Sequence, residues 1–507
     1  MKGTFRLSGP ASLEADACIV GSGAGGASVA DVLTAAGLDV VMLEEGPNVP
    51  AEAADGTGGE AIPRLWRGAG LTAALGVPPI AYAEGAAVGG STEINSAIFQ
   101  RVADDMLDGW AREFELAEFG AAALRPYYDR AAAAVNASLT PGPLEPPSRI
   151  LAEAGERLGW KVSALERGQR FCAGTNMCSF RCPTGGKQSM SETLLPAATS
   201  RGMRLLAGAR VERLLRRGRS IVAAVGRATG PDGRTHAFRV RAKRFFVAAG
   251  AVHTPALLQR SLVSRRAGAT FKLHPTIKCV ALFDEARDFH KFRLPLTAIT
   301  EFMPDQRIGG SVMTPALLAM GLAEDWTRRG HLMERWRQCG SFYGMIRPKG
   351  QGRVLALPGL AEPLVFFRLA PDDWRALAEI GARLGEAMFA AGAREVWPSV
   401  TGAGPWRSVG EARALADGDL PQARTNLMTI HIFGSCRPGA RPDASAVDGF
   451  GRVWGTDNLV VADASLIPDA PGCNPQGTVM ALAFRAAEAA LAMSDREGRA
   501  RALGEAA

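Results

Sequence analysis

The segment from Asp16 to Gly46, DACIVGSGAGGASVADVLTAAGLDVVMLEEG, limits the fold of this chain more than any other. Ala17 to Val20 is a short apolar run suited to a buried parallel strand. Gly21, Gly23 and Gly26 follow as G-x-G-x-x-G, and Ser28 to Ala36 carries Ala, Val and Leu at helical spacing. A second apolar run, Val40 to Leu43, ends at Glu44. Gly21 permits a tight turn, Gly23 lets backbone approach a ligand, and Gly26 lets helix and strand pack closely. Free N–H groups and the dipole at the helix N-terminus favour a pyrophosphate, and a carboxylate at Glu44 can accept ribose hydroxyls. A glycine-rich turn is the plain alternative. Strand, turn, helix, strand and acid arriving in order favour a dinucleotide, though they do not separate NAD from FAD.

At 507 residues the chain has material for two to four compact units with ample core. Its hydrophobic content of 47% and charged content of 21% describe an ordinary globular protein. The net charge of +7 arises from arginines scattered among Ala and Gly, as in RVERLLRRGR. No basic block with interleaved aromatics occurs, so nucleic acid is not expected as a partner; weak attraction to acidic partners or anionic lipid is compatible. The first twenty residues lack the apolar core of a signal peptide, and no apolar run reaches the ~18–20 residues of a spanning helix. A cytoplasmic location is the default expectation. Of eight cysteines, Cys18, Cys279, Cys339, Cys436 and Cys473 are scattered and read as small buried hydrophobes.

Three further blocks carry chemistry. GAAVGGSTEINSAIFQR, residues 85–101, is a second glycine-rich loop in which Gly89, Gly90 and Ser91 could bring N–H groups against a flat or anionic ligand. KRFFVAAGAVHTPALLQRS, residues 243–261, gives a buried strand at Phe245 to Ala249, a turn at Gly250 and a helix opened by Thr254-Pro255. The block beginning HIFGSCRPG at His431 contains a buried strand at Leu459 to Ala462, then Asp463, and an apolar helix at Thr478 to Leu491.

In this order, from residue 16 to about 490, these blocks resemble the glucose–methanol–choline (GMC) oxidoreductases. The resemblance implies an α/β fold: a Rossmann-like FAD-binding domain with a second substrate domain built on an antiparallel sheet flanked by helices. It implies FAD as cofactor, with Gly21, Gly23, Gly26 and Glu44 at the ADP site. Gly89, Gly90, Ser91 and Asn95 would lie beside the isoalloxazine, and Asp463 near the ribityl and pyrophosphate. His431 matches the family's active-site histidine and Asn474 its second active-site position. The expected FAD domain is discontinuous, 10–105, 185–280 and 430–495; 106–184 is a helical and loop region, and 281–429 the substrate domain. CPTGGKQSMSETLLPAA, FKLHPTIKCVALFDEA and Asn474-Pro475 resemble the branch holding long-chain alcohol and sterol oxidases. The short GGST at 89–92 departs from the sterol oxidase pattern.

Such a site would oxidise an alcohol. An imidazole can accept the hydroxyl proton near neutrality, and a second polar group must fix the oxygen. His431 is therefore the expected base and Asn474 the positioner, with the flavin performing the redox step. The other five histidines read as structural, His274 as a turn cap before Pro275. The expected substrate is a small-molecule alcohol, apolar or bulky, and the enzyme a dehydrogenase or oxidase whose electrons pass to an external acceptor: oxygen, a cytochrome or a quinone. Two alternatives stand beside this: a non-redox lyase on the same scaffold, and a flavoprotein subunit of an iron–sulfur and cytochrome-linked sugar dehydrogenase.

The second alternative turns on CAGTNMCSFRCPTGGK, where Cys172, Cys178 and Cys182 fall in eleven residues. Zinc would want four ligands and a closer pair. Three thiolates before a proline suit an iron–sulfur cluster, and the spacing resembles that of a three-iron (3Fe–4S) cluster in cytochrome-linked sugar dehydrogenases of the same superfamily. A cysteine-bearing loop, reduced or disulfide-linked, is the other reading. With a cluster, export to the periplasm in company with a signal-bearing partner joins the cytoplasmic option. Finally, PALLAMGLAEDWTRRGHLMERWRQ, residues 315–338, is a core-facing helix, or else a lid over an apolar tunnel or a patch resting on a membrane surface.

Overall fold

The computed structural model describes residues 3–53, 59–418 and 420–504, with side chains as far as residue 493. Two large sheets organise it. The first has eight strands, in the order Thr4–Phe5, Arg204–Ala207, Val40–Glu44, Ala11–Val20, Thr235–Val247, Ser220–Thr229 and Ala209–Arg217. Its eighth strand, Leu459–Val461, pairs with the C-terminal half of Thr235–Val247, whose N-terminal half pairs with Ser220–Thr229. Pairing is parallel from Thr4–Phe5 through Thr235–Val247 and to Leu459–Val461, and antiparallel in the hairpin at the other edge. Side chains alternate between two covered faces, as parallel strands require. Cys18, Val20, Val41, Leu43, Phe245 and Val247 enter one core. Ala17, Ile19, Val40, Met42 and Phe246 enter the other, with Val29 and Leu33 of helix Ala24–Ala35 and Met480 and Phe484 of helix Gln476–Gly504. Each fully buried Val, Leu, Ile or Phe contributes roughly 1.5–3 kcal/mol, so both faces are strongly specified.

The second sheet has nine strands in the order Thr72–Ala74, Ile80–Tyr82, Leu427–Thr429, Thr276–Leu282, Cys339–Ile346, Gln306–Gly310, Thr297–Ile299 and Val162–Ala164, with Glu395–Pro398 also on Thr276–Leu282. All pairs are antiparallel except Ile80–Tyr82 with Leu427–Thr429. One face is apolar: Ile277, Cys279, Ala281, Ile308 and Phe342 pack against Leu377, Ile380, Leu384 and Met388 of helix Pro371–Ala390. That helix starts where Pro371 fixes the first turn and Asp373 accepts from the Ala370 N–H at 2.8 Å. The opposite face carries Thr276, Lys278, Arg307 and Tyr343. The register sets Arg307, Met345 and Thr276 in one row and Gly309, Tyr343 and Lys278 in the next.

The span 281–429 is thus not a self-contained sheet. Thr72–Ala74, Ile80–Tyr82, Val162–Ala164 and the start of Thr276–Leu282 come from segments expected in the FAD domain or the helical region. Three-residue strands are too short to show a period-2 pattern. The stretch 315–338 is also broken, into Pro315–Leu322, Trp326–Arg329 and a loose turn series over Gly330–Gln338. Helix Gly250–Arg260 begins at the glycine itself, not at Thr254-Pro255.

Candidate active site

A cavity of about 580 Å³ runs from the first glycine turn to the polar face of the second sheet. Gly21, Gly23, Glu44, Gly90, Ser91, Asn95, His431, Asp463 and Asn474 all line it; Gly26 and Gly89 stand just behind the wall. At the nucleotide end the glycines divide by function. Gly21 has φ +100°, and a Cβ on Gly26 would lie 2.0 Å from the Gly21 carbonyl oxygen, so both are demanded by the chain's own packing. A Cβ on Gly23 would meet nothing nearer than the Gly90 Cα at 3.9 Å. Its smoothness is not used by the protein and is turned to the cavity. Gly23 is also the N-cap of helix Ala24–Ala35, and no side chain caps it. This is the cradle a pyrophosphate fits.

Glu44 Oε2 accepts from the Ser22 N–H at 3.0 Å and the Ser22 hydroxyl at 2.6 Å, and Oε1 from the Gly46 N–H at 2.8 Å. Burial raises its pKa, and these bonds to Ser22 and Gly46 pull the other way. Ser22 Oγ in turn accepts from the Gly89 N–H at 3.0 Å, which locks the second glycine loop onto the first. Asp463, likewise raised by burial, accepts from the Gly250 N–H at 2.9 Å, the Thr254 hydroxyl and the Ser465 N–H at 2.8 Å. Asn95 Nδ2 donates to Gln476 Oε1 at 2.6 Å. Glu84, which the sequence did not single out, lines the same cavity beside Arg67 and His253; burial pushes it up to about 7.

At the other end His431 and Asn474 meet. His431 Nε2 is 3.0 Å from Asn474 Nδ2, and both side chains are buried on the cavity wall. His431 follows strand Leu427–Thr429, and its N–H donates to Thr429 Oγ1 at 3.0 Å. Asn474 stands just ahead of helix Gln476–Gly504. Burial first, and the positive Arg307 second, push the His431 pKa down to about 3. Arg307 Nη2 donates to Asn474 Oδ1 at 2.8 Å and to the Tyr343 hydroxyl at 3.3 Å, and Nη1 donates to Gln100 Oε1. His274 is not a turn cap: its ring is fully buried and its Nδ1 lies 3.2 Å from His431 Nδ1. Arg307, Gln100, Tyr343 and His274 were not identified as site residues. The one trace of them is Gly309-Gly310 inside a strand, which signals a close approach. A Cβ on Gly309 would strike the Tyr343 ring.

Between these ends Val312, Leu317, Met320, Met345 and Met428 give an apolar lining, with the ion pair Lys278–Glu324 at 2.7 Å among them. Met320 and Ile430 also line the cavity and are 41% and 46% exposed, so it reaches solvent there. Helix Pro315–Leu322 divides its apolar residues between a core and the cavity. Leu318 and Leu322 pack in a core with Val280 and Trp397, and Leu317 and Met320 face the cavity.

The three clustered cysteines stand apart from this lining. Among the described residues no group of three or more His, Cys, Asp or Glu is placed to hold a metal ion, so of the two readings of these cysteines the three-iron site gains no support. The thiols face a cation instead. Arg167 Nη2 donates to Cys178 Sγ at 3.2 Å. Burial lowers the Arg167 pKa, but the sulfurs of Cys178, Cys172 and Cys182 more than offset it, and the guanidinium is held above its ordinary value. Cys182 Sγ accepts from the Lys187 N–H at 3.5 Å, and Lys187 Nζ donates to the carbonyls of Glu93, Asn95 and Cys178. The loop is thereby fastened to the second glycine loop. The remaining five cysteines are buried and free.

Residues 62–276 match the N-terminal and 358–483 the C-terminal family model of the GMC oxidoreductases. The chain is 59% identical, over 98% of both sequences, to an uncharacterised GMC-type oxidoreductase of Sinorhizobium fredii. It is 26% identical to a long-chain-alcohol oxidase of Arabidopsis thaliana, over 93% of this chain and 68% of that one. Among solved structures it resembles pyridoxine 4-oxidase from Mesorbium loti with a TM-score of 0.69 at 20% identity, covering 93% of this chain and 98% of the other. Among the described residues no helix is long and apolar enough to cross a membrane.

Proposed function

The chain belongs to the GMC oxidoreductases, a family of FAD-binding enzymes, and from that premise we propose that it oxidises a bulky, largely apolar alcohol to the carbonyl. The observation that carries this reading is the meeting of His431 Nε2 and Asn474 Nδ2 at 3.0 Å on the wall of a cavity whose far end is the Gly21–Gly26 turn. In this reading the turn and the N-terminus of helix Ala24–Ala35 hold the pyrophosphate, and Glu44 takes the ribose. The loop carrying Gly89, Gly90, Ser91 and Asn95, with Asp463, borders the flavin.

When bound, FAD supplies the acceptor for the hydride that leaves the alcohol carbon. This chain's residues handle the proton and the position. When the alcohol enters, the Asn474 N–H shifts from His431 Nε2 to the alcohol oxygen and frees the Nε2 lone pair; the O–H bond then breaks, its proton moves to Nε2, and the Asn474 amide donates to the oxygen left behind. A base depressed to about 3 is neutral at every pH near 7, so it is always in the accepting form. The apolar wall of Val312, Leu317, Met320 and Met428 excludes water and holds an alkyl or aryl group. Similarity to a long-chain-alcohol oxidase supports the substrate class.

The electrons go to an external acceptor. This reading needs no route through iron. The test is anaerobic addition of long-chain, aromatic, sterol and sugar alcohols to the yellow holoprotein. Long-chain or aromatic primary alcohols should bleach the flavin and yield the aldehyde. Substrate turnover with no change of flavin redox state would point to a lyase and end the proposal.

A further inference from the structure

We infer that Arg307 is a positioning residue: it turns the Asn474 amide so that His431, on the cavity wall, keeps Nε2 unprotonated, its lone pair held by an N–H that an alcohol can displace. The inference rests on the reading of His431 as proton acceptor and adds what sets that group's form.

Direction along this chain of contacts is decided at one end. A guanidinium has five donors and no acceptor. Arg307 Nη2 stands 2.8 Å from Asn474, so the atom there must be the amide oxygen. The amide NH₂ is then the group 3.0 Å from His431 Nε2, and it too can only donate. His431 Nε2 must hold a lone pair. The ring proton is left on Nδ1, which donates to His274 Nδ1 at 3.2 Å. His274 must then carry its own proton on Nε2, a buried atom with no hydrogen-bond partner. Four residues from four separate segments thus share one polarity, and reversing it would set Asn474 NH₂ against a cation.

The geometry makes this arrangement stiff. Arg307 lies in strand Gln306–Gly310, is fully buried, and has Gln100 and Tyr343 as its other partners. Gln100 Oε1 also accepts from the Asn474 N–H at 3.2 Å, so backbone and side chain of Asn474 are both tied to the Arg307 cluster. The charged or titratable groups that face the two imidazoles are Arg307, each other and, beyond His274, Arg347. The neighbours are cations or neutral rings, and they keep both histidines uncharged.

The test reads the tautomer directly and needs no alcohol. Holoprotein labelled with ¹⁵N-histidine shows, for each ring nitrogen, whether it carries a proton; the His431 signals are those lost in His431→Gln. At about pH 7 wild type should show a bare Nε2 and a protonated Nδ1. In Arg307→Met the amide is free to turn, so a protonated Nε2 should appear and flavin reduction by alcohol should fall by ~10²-fold, the cost of a misplaced group. Arg307→Lys, which keeps a donor beside the amide oxygen, should restore the bare Nε2. A protonated Nε2 in wild type overturns the inference, as does an Arg307→Met protein with the wild-type tautomer and rate. If no alcohol reduces the flavin, the proposed activity fails while the histidine spectra of wild type and the Arg307 variants still decide this point; should Arg307→Met not fold, Arg307→Lys takes its place, and a protonated Nε2 in that variant overturns the inference.

Discussion

His274 and His431 face one another through Nδ1 atoms 3.2 Å apart, their rings edge to face at 85°. Their backbones meet as well: the His274 N–H donates to the His431 carbonyl at 3.1 Å, next to the pairing of Lys272–Leu273 with Ile432–Phe433. The ring that faces the cavity is therefore placed by main chain and neighbour together, and little rotamer freedom is left to it.

Replacing that ring should be costly for chemistry and not for assembly. His431→Gln should slow alcohol-dependent flavin reduction by roughly 10²–10⁴-fold, the usual worth of a positioned acid–base group. FAD content should stay near that of wild type, because the glycine turn lies at the opposite end of the cavity. Anaerobic stopped-flow at 450 nm measures both. An unchanged rate would require another base.

His431 also leaves a signature in stability against pH. Its pKa is about 3 in the fold and 6.5 ordinarily. Between those values the unfolded chain binds a proton that the native chain does not, so this group makes stability fall as pH drops from 6.5 toward 3. The slope is at most ~1.4 kcal/mol per pH unit. His431→Gln removes that slope. Relative to wild type, its melting temperature should rise steadily as pH is lowered below about 6.5 and stay level above it. Parallel curves would mean that His431 titrates alike in both states.

Two glycines three residues apart in one motif should fail in opposite ways. Gly26→Ala places a methyl 2.0 Å from the Gly21 oxygen and should destabilise the protein by ~1–3 kcal/mol, as overpacking does. Gly23→Ala meets nothing in the protein closer than 3.9 Å. It should fold with the melting temperature of wild-type apoprotein and yet lose most of its flavin absorbance. Full flavin in Gly23→Ala would show that the ligand does not approach that turn.

The cysteine loop should be dispensable for the flavin reaction. Cys178→Ser keeps a group able to accept from Arg167 and should retain FAD and its reduction by alcohol. Metal analysis of wild type made with ample iron and little oxygen should give less than one iron per chain. About three irons, lost in Cys178→Ser, would restore the cluster and with it a protein electron acceptor.

The nucleotide half was legible because its constraints are local. Ala17–Val20, the Gly21 turn with φ +100° and strand Val40–Glu44 follow one another, and each residue type is dictated by its neighbours. His431 and Asn474 lie 43 residues apart and were singled out through family likeness, since neither has a local pattern of its own. Arg307 was invisible for a physical reason. Gln306–Gly310 is buried throughout, and the alternation of such a strand gives no sign that a charged side chain lies inward, paired with residues from three distant segments. The clustered cysteines were open to two readings because spacing places thiols near one another without saying what they face, here Arg167 beside Cys178.

The divided edge of strand Thr235–Val247 has a consequence for how the chain is made. Phe245–Val247 is bordered on one side by Ile19 and its neighbours and on the other by Leu459–Val461. Asn458 ties that border down by donating to the carbonyl of Lys243, 215 residues earlier. A ribosome that has released the whole glycine motif and the first seven strands still holds the piece that completes the nucleotide-binding sheet. Contacts of such separation close late and slowly. Until synthesis passes residue 461 the strand keeps a bare, apolar margin, the kind of surface on which nascent chains aggregate. Cofactor supply can therefore rescue this protein only after nearly all of it has been translated.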